Sequence, residues 1–178
     1  MVSEMCIRDS GSVNTELKFG YGAYFVVSDL DIPVDSLKNT VKIKRFTQTS
    51  STKLELQTLL WALAETVSLI NRTDLVITVH TDSQNIISLP GRRDRLEQRN
   101  YFSSKNKRLN NYELYREFYQ LTSRLNCSFV KVAGHQVSSK KDKVDRLFSL
   151  VDQASRRALR EESYSSRGSI NVSGNIIA

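Results

Sequence analysis

A short and almost continuous apolar run near the middle of the chain, LVITVHT at residues 75–81, limits the folds that this sequence can adopt. A strand with so few polar positions is typical of a sheet that helices cover on both faces, because neither face is left for water. The run ends at an acid, Asp82, and Ser83 follows it. Both residue types are good helix caps, so capping and a chemical role for Asp82 are both open at this point.

The segments around this run alternate between strand and helix patterns. Strands show aromatic and β-branched residues or a period of two, and helices show apolar residues at helical spacing. The predicted strands are residues 21–29, 41–46, 75–81 and 127–133. The predicted helices are residues 49–70, 83–89 (ended by a Pro-Gly pair), 111–125 and 141–159. A hairpin followed by crossovers through helices predicts an α/β fold, a mixed sheet with helices packed on it.

Three acids and a histidine fall at the ends of these predicted elements. Asp82 closes the central strand, Glu55 lies in the first turn of the preceding helix, and Asp145 lies at the start of the last helix. His135 lies in the loop before that helix. Taken singly, Glu55 fits a capping box with Thr52, and Asp145 fits a surface acid near a helix N-terminus. Taken together, clustered carboxylates need a cation, and their oxygen atoms suit two Mg²⁺ or Mn²⁺ ions.

Composition narrows the class of partner and the compartment. The chain has 178 residues and a net charge of +7, which favours a polyanionic partner. No apolar run approaches the roughly 20 residues of a membrane span, so we expect no membrane association. The two cysteines, Cys6 and Cys127, have neither metal spacing nor an evident pairing. This pattern suits a reducing compartment, and we predict a cytoplasmic monomer.

The ordered motifs resemble those of type 1 ribonuclease H, which cuts the RNA strand of an RNA–DNA hybrid. The matching segments are GYGAYFVV, TSSTKLELQ, HTDSQ, VKVAGH and VDRLFSLVDQASR. The resemblance implies a ribonuclease H-like α/β fold, a mixed five-stranded sheet with helices on both faces. It also implies that Glu55, Asp82 and Asp145 bind two Mg²⁺ or Mn²⁺ ions, while His135 activates water or assists product release.

The same resemblance implies contacts with the hybrid. Gly11, Ser12, Ser51 and Thr52 occupy positions that in the family lie near the minor groove, where RNA is sensed through its 2′-hydroxyls. Ser50 lies where the family grips a DNA phosphate. The family carries asparagines where this chain has Ser51 and Thr52, which weakens the assignment of these two residues.

A basic segment at residues 91–111 matches the position of the family's basic protrusion, which holds the hybrid. Its cations face only Asp94 and Glu97, and a plain solvated surface is the alternative interpretation. Tyr101 and Phe102 inside it either stack on a ligand or pack internally. The basic residues are Arg92, Arg93, Arg95, Arg99, Lys105, Lys107 and Arg108.

The N-terminus departs from the family pattern. The family's first, central strand ends in Asp-Gly-Ser, and that Asp contacts both metal ions. Aligning Gly11 and Ser12 with this motif puts Ser10 where the Asp belongs, and Asp9 lies one residue early. A one-residue slip turns a side chain to the other face of a strand. The stretch before Gly11 also predicts a poor central strand.

We therefore divide the chain into an aberrant N-terminal segment (residues 1–10), a ribonuclease H-like domain (11–160) and a flexible tail (161–178). Two classes of function are open: a metal-dependent hybrid ribonuclease, and a ribonuclease H-like module that binds hybrid or duplex without cutting it. The acids at positions 55, 82 and 145 favour the first class. Ser10 favours the second, and predicts that the chain is a weak nuclease.

Overall fold

The computed structural model describes residues 4–27, 40–69, 76–132 and 143–170. Its strands are β1 (Glu4–Asn14), β2 (Phe19–Val27), β3 (Lys42–Thr47), β4 (Val76–Thr81) and β5 (Asn126–Lys131). Its helices are α1 (Ser51–Leu69), α2 (Gln84–Gln98), α3 (Tyr112–Thr122) and α4 (Lys143–Ile170). The strands form one sheet in the order β3-β2-β1-β4-β5.

The sheet is mixed, as the sequence predicted. Strand β2 pairs antiparallel with β1 and β3, while β4 pairs parallel with β1 and β5. The prediction of a poor first strand is wrong, because β1 occupies the centre of the sheet and pairs on both sides. Backbone hydrogen bonds to β2 on one side and β4 on the other hold this strand, and they offset the unfavourable residues before Gly11.

Helices cover both faces of the sheet, which confirms the predicted layers. One core lies between the sheet and α1, α2 and α3, and includes Tyr24, Leu63 and Phe118. The second core lies on the opposite face, where Phe25 of β2 packs with Val151 of α4. Among the described residues, no helix is long and apolar enough to cross a membrane.

Helix α2 continues through Pro90, so the prediction that the Pro-Gly pair ends it at Leu89 is wrong. A proline inside a helix removes one backbone hydrogen bond and costs about 3 kcal/mol. Tertiary contacts offset this cost. Leu89 and Leu96 are buried on the two sides of the proline, and the Tyr119 hydroxyl donates a hydrogen bond of 2.7 Å to the Leu89 carbonyl oxygen. Packing therefore outweighs the local signal to stop.

Helix α4 extends to Ile170, so the predicted loss of helical structure after residue 160 is wrong as far as residue 170. Glu162 anchors this extension. Its carboxylate accepts two hydrogen bonds of 2.8 Å from the Arg45 guanidinium of β3, and one of 2.5 Å from the Tyr21 hydroxyl of β2. Polar contacts of this kind leave no apolar period in the sequence. Residues 171–178 of the predicted tail lie outside the described part of the chain.

Helix α1 approaches the sheet closely because three positions beneath it are glycines. A β-carbon added at Gly22 would lie 2.0 Å from Thr58 Oγ1. One added at Gly11 or Gly20 would lie 2.8 Å from Leu54 Cδ2. Because these positions lack side chains, Leu54 packs directly on β1 and β2. This packing positions Glu55, the next residue of the helix.

Candidate active site

Glu55 is held half-buried near the start of α1 and points toward the end of β4. Its carboxylate accepts a 2.6 Å hydrogen bond from the Ser83 hydroxyl. The capping-box interpretation of Glu55 does not hold, because α1 is capped by Ser50, whose Oγ accepts from the Lys53 amide at 3.4 Å. Glu55 is therefore free of a capping role and is joined instead to the segment that follows β4.

Burial raises the pKa of the Glu55 carboxyl above its ordinary value, the Ser83 hydrogen bond partly lowers it, and the negative charge of Asp82 raises it again. The electrostatic effect of Asp82 means that the two carboxylates lie close enough to repel each other. Like charges held together in this way are typical of functional carboxylate sites. Their oxygen atoms and the Ser83 hydroxyl form a donor set that suits Mg²⁺ or Mn²⁺.

Asp82 follows β4 directly and is exposed. The helix cap beside it is Ser83, whose Oγ accepts from the Ile86 amide at 3.4 Å. Ser83 thus takes over the capping role that the sequence left open between the two residues. It also joins Glu55 to the start of α2, and Asp82 is left with its carboxylate at the surface.

The sequence indicates a capping role for Ser83 and gives no sign of its contact with Glu55. That contact depends on the position of α1 beside the end of β4, which no local pattern encodes. Lys131 was also missed. It ends β5, pairs in register with Thr81, and donates a 2.7 Å hydrogen bond to Gln84 Oε1. The Lys131 ammonium therefore contacts the first turn of α2, the helix that begins two residues after Asp82.

Asp145 lies half-buried in the first turn of α4, as predicted. Among the described residues, no three His, Cys, Asp or Glu side chains form a group that could hold a metal ion. The structure places Glu55 beside Ser83 and within electrostatic reach of Asp82, and the part of Asp145 in the site stays a prediction. His135 lies outside the described residues. Asp9 is described as part of the β1 backbone, where it pairs with Tyr24 of β2.

The five residues predicted to contact the minor groove or a phosphate differ in burial and in their contacts within the protein. Gly11 lies under Leu54, and the Ser12 hydroxyl is 3.2 Å from that of Ser155 in α4. Ser51 and Thr52 are exposed at the start of α1, beside the capping residue Ser50. Three of these five positions thus have a packing or capping role, while Ser51 and Thr52 are open to a ligand.

The basic segment is ordered, and its cations are of two kinds. Arg92 hydrogen-bonds Asn85 Oδ1 at 3.3 Å, and Arg93 pairs with Glu97 at 2.9 Å. Arg108 lies over two rings, with its guanidinium carbon 5.0 Å from the centre of Phe102 and 4.5 Å from the centre of Tyr112. These three cations have partners within the protein.

The second kind consists of exposed cations: Arg95 and Arg99 at the end of α2, and Lys105 and Lys107 in a tight turn after it. The Ser103 amide donates to the Lys107 carbonyl oxygen at 2.8 Å and closes this turn. Tyr101 is buried. Of the two alternatives for this residue, stacking on a ligand and internal packing, the structure shows internal packing. The end of α2 and the turn after it therefore present exposed positive charge to a ligand.

Comparison with known proteins identifies the fold. One of 242 matching chains of solved structures is a foamy viral protease-reverse transcriptase in complex with RNA/DNA hybrid. That match has a TM-score of 0.59 and 8% identity, and covers 86% of this chain but only 19% of that chain. At this identity the likeness concerns the fold alone. No curated protein matches the sequence.

The family follows from the sequence match and agrees with the structure. The family model described as RNase H matches residues 4–153, which is most of the 178-residue chain. The match spans β1 through β5 and enters α4, so it includes Glu55, Asp82 and Asp145. It also begins at the first described residue of β1, the strand whose sequence looked unfavourable. This protein belongs to the RNase H family.

Proposed function

We propose that this domain is a metal-dependent endonuclease that hydrolyses the RNA strand of RNA–DNA hybrids. The observation that carries the proposal is the convergence of Glu55 and Asp82 at the carboxyl end of β4, in a chain of the RNase H family. Loops at the carboxyl ends of parallel strands are the usual place for sites in α/β folds. The solved structure of similar fold was determined with an RNA/DNA hybrid, which supports the choice of substrate.

Members of this family generally use divalent metal ions. We assign Glu55, Asp82 and Asp145 as ligands of two Mg²⁺ or Mn²⁺ ions, because carboxylates are the oxygen donors that these ions prefer. Two such ions, when bound, supply charge that activates a water molecule and stabilises a leaving oxygen. Ser83 orients the Glu55 carboxylate through its hydrogen bond. His135 carries a proton to or from the reacting groups.

Strand register supports Asp9 as a further acid of the site. Arg8 pairs with His80 in the parallel ladder, so the next position of β1 lies level with Thr81, one residue before Asp82. Successive strand positions alternate between faces. Gly11 faces α1 and Ser12 faces α4, so position 9 belongs to the α1 face, the side that carries Glu55. This favours Asp9 over a carboxylate at position 10.

Hybrid binding would use the exposed residues Ser51 and Thr52 beside the acids, and Lys105 and Lys107 on the basic segment. Charged contacts to phosphate supply much of the affinity for nucleic acid. Gly11, Ser12 and Ser50 act through packing or capping. Arg92, Arg93 and Arg108 contribute less to binding, because each already has a contact within the protein. We further propose that the protein works as a monomer in the cytoplasm.

A cleavage assay tests the proposal. A hybrid labelled in its RNA strand is incubated with the protein and Mg²⁺ or Mn²⁺, and a second hybrid is labelled in its DNA strand. We expect metal-dependent shortening of the RNA label alone, and no cutting when a chelator is present. Intact RNA at every metal concentration would contradict the nuclease assignment.

The second candidate function is a module that binds hybrid or duplex without cutting it. The feature in its favour is Ser10, which stands where alignment of Gly11 and Ser12 puts the family's first Asp. Binding measured by anisotropy of a labelled hybrid separates the two functions. Tight binding without cleavage supports the module, whereas cleavage at any metal concentration supports the nuclease.

A substitution pair tests Asp9. Asp9→Asn removes a carboxylate at the position that strand register favours, and Ser10→Asp adds one at the position that alignment of Gly11 and Ser12 favours. We expect cleavage to fall in Asp9→Asn and to change little in Ser10→Asp. The opposite pair of results, with a gain in Ser10→Asp and no loss in Asp9→Asn, would assign the first acid to position 10.

A further inference from the structure

A cavity of about 330 Å³ lies away from the acids, between β3, α1 and α3. We call it the Trp61 pocket. It is lined by Lys44 and Phe46 of β3, Gln57 and Trp61 of α1, and Leu114 and Glu117 of α3, among others. The proposed cleavage uses none of these residues. The cavity therefore takes no part in the proposed cleavage, although its lining combines aromatic rings with a cation and an acid.

The indole ring of Trp61 is held in place by its neighbours. Its Nε1 donates a 2.6 Å hydrogen bond to Glu65. The same carboxylate accepts from the Tyr24 hydroxyl and, at 2.6 Å, from Lys42 Nζ. The Tyr24 ring meets Trp61 edge-on with centres 4.6 Å apart, and Phe46 does so at 6.3 Å. A ring fixed in this way needs no reordering to receive a ligand, which favours binding.

Lys44 gives the pocket a positive charge at its rim. Its Nζ lies 5.4 Å from the centre of Phe46 and 5.5 Å from that of Trp61. The side chain is exposed, and no ion pair joins it to an acid of the described residues. Lys42 differs from Lys44 in this respect, because it forms an ion pair with Glu65. Lys44 thus contacts the two rings, as Arg108 does with Phe102 and Tyr112, but no acid of the described residues neutralises it, and its charge can still pair with an anion.

We propose that the Trp61 pocket binds one unpaired nucleotide of a single strand that extends from the hybrid. The base would stack on the Trp61 ring, as bases do on aromatic side chains in single-strand binding proteins, and would meet the inclined Phe46 ring at its edge. The phosphate would pair with Lys44, and Glu117 would accept an N–H of the base edge. We choose a nucleotide over a peptide because the chain carries a net charge of +7 and belongs to the RNase H family.

The position of the pocket on α1 fits a strand that passes the acids. Gln57 and Trp61 follow Glu55 by two and six residues, which is about 3 and 9 Å along the helix axis. They lie on another side of the helix, so the bound strand would leave the site and turn over α1. The inference goes beyond the proposed cleavage and rests on it only for the choice of nucleic acid as partner.

Trp61 is the only tryptophan in the chain, so its fluorescence reports on the pocket directly. The protein is titrated, without metal, with a short single-stranded oligonucleotide, a blunt-ended hybrid, and inorganic polyphosphate as an anion without bases. We expect saturable quenching with the oligonucleotide and little change with the other two. Because no cleavage is measured, failure of this test is distinct from failure of the proposed function.

Matched charge variants locate the contact. Lys44→Gln and Arg124→Gln each remove one positive charge from an exposed side chain, and Arg124 follows the C-terminal end of α3. We expect Lys44→Gln to flatten the salt dependence of binding by about 0.7 log–log units, the value for one phosphate contact on a single strand. Arg124→Gln should leave it unchanged.

A third variant removes the stacking surface. In Trp61→Leu, binding is followed by anisotropy of the labelled oligonucleotide, and we expect a loss of about 5- to 150-fold, the usual range for one stacked base. Absence of quenching in the parent protein overturns the proposal, as does equal quenching by polyphosphate. An equal effect of Lys44→Gln and Arg124→Gln on the salt slope overturns it as well.

Discussion

Replacing Gly22 with alanine tests the close contact by which α1 brings Glu55 to the end of β4. The new β-carbon would lie 2.0 Å from Thr58 Oγ1 and 3.0 Å from Thr58 Cβ. Thr58 cannot rotate without loss, because its hydroxyl donates a 2.7 Å hydrogen bond to the Leu54 carbonyl oxygen. The helix must therefore move away from β2, and Glu55 must move with it.

Overpacking of this kind costs about 1–3 kcal/mol of folding free energy. For a chain of this size, we expect the melting temperature to fall by roughly 2–12 °C. Urea denaturation followed by circular dichroism measures the free energy directly. Cleavage of the hybrid by the folded fraction should fall as well, because the distance between Glu55 and Ser83 changes.

Gly91→Ala is the matched control. No atom lies within 4 Å of a β-carbon added at Gly91, which is part of α2. Alanine is the better helix former, so this variant should gain about 0.5–1 kcal/mol. Thr58→Ala in the Gly22→Ala background removes the 2.0 Å contact and should recover part of the loss. A Gly22→Ala protein as stable as the parent would refute the close approach of α1.

Three further predictions concern charge. Three donors, chiefly Lys42, lower the pKa of Glu65 to about 2 from an ordinary 4.5. A pKa lower in the folded than in the unfolded chain stabilises above pH 4.5, and this stability is lost as the pH falls toward 2. The stability difference between the parent and Glu65→Gln should therefore shrink over that range in urea titrations, and a constant difference would contradict this assignment. Neutralising Lys105 and Lys107 together should flatten the salt dependence of hybrid binding by up to about 1.8 log–log units, and an unchanged slope would make the segment a solvated surface. Neutralising Arg92, which already has a protein partner, should change the slope less in the same titration.

The sequence predicted the sheet and its layers because these depend on periodic burial. The run at 75–81 and the helical spacing of α1 each report which side faces a core. It did not predict the length of α4, where Glu162 binds Arg45 and Tyr21 across 117 and 141 residues. The prediction that Pro90 ends α2 failed for a related reason. The contacts that keep α2 intact come from α3, which is distant in the sequence.

The candidate site was predicted in part. Asp82 was placed correctly at the end of β4, because a strand that ends in an acid is visible in the sequence. The role of Ser83 was not predicted, since a bond of 2.6 Å to Glu55 depends on how α1 packs on glycines. The predicted part of Asp145 in the metal site stays a prediction. The predicted role of His135 in proton transfer stays a prediction, because this residue lies outside the described part of the chain.

The most direct test of the central claim compares Asp82→Asn with the parent protein on a hybrid labelled in the RNA strand, at saturating Mg²⁺ or Mn²⁺. Asparagine keeps the size of the side chain and removes its charge, and Ser83 rather than Asp82 caps α2, so the fold should be preserved. Circular dichroism and the melting temperature confirm equal folding before rates are compared. We predict that metal-dependent cleavage collapses in Asp82→Asn while hybrid binding persists. Cleavage by the folded variant at the parent rate would contradict the assignment of Asp82 as a metal ligand, and with it the proposed active site.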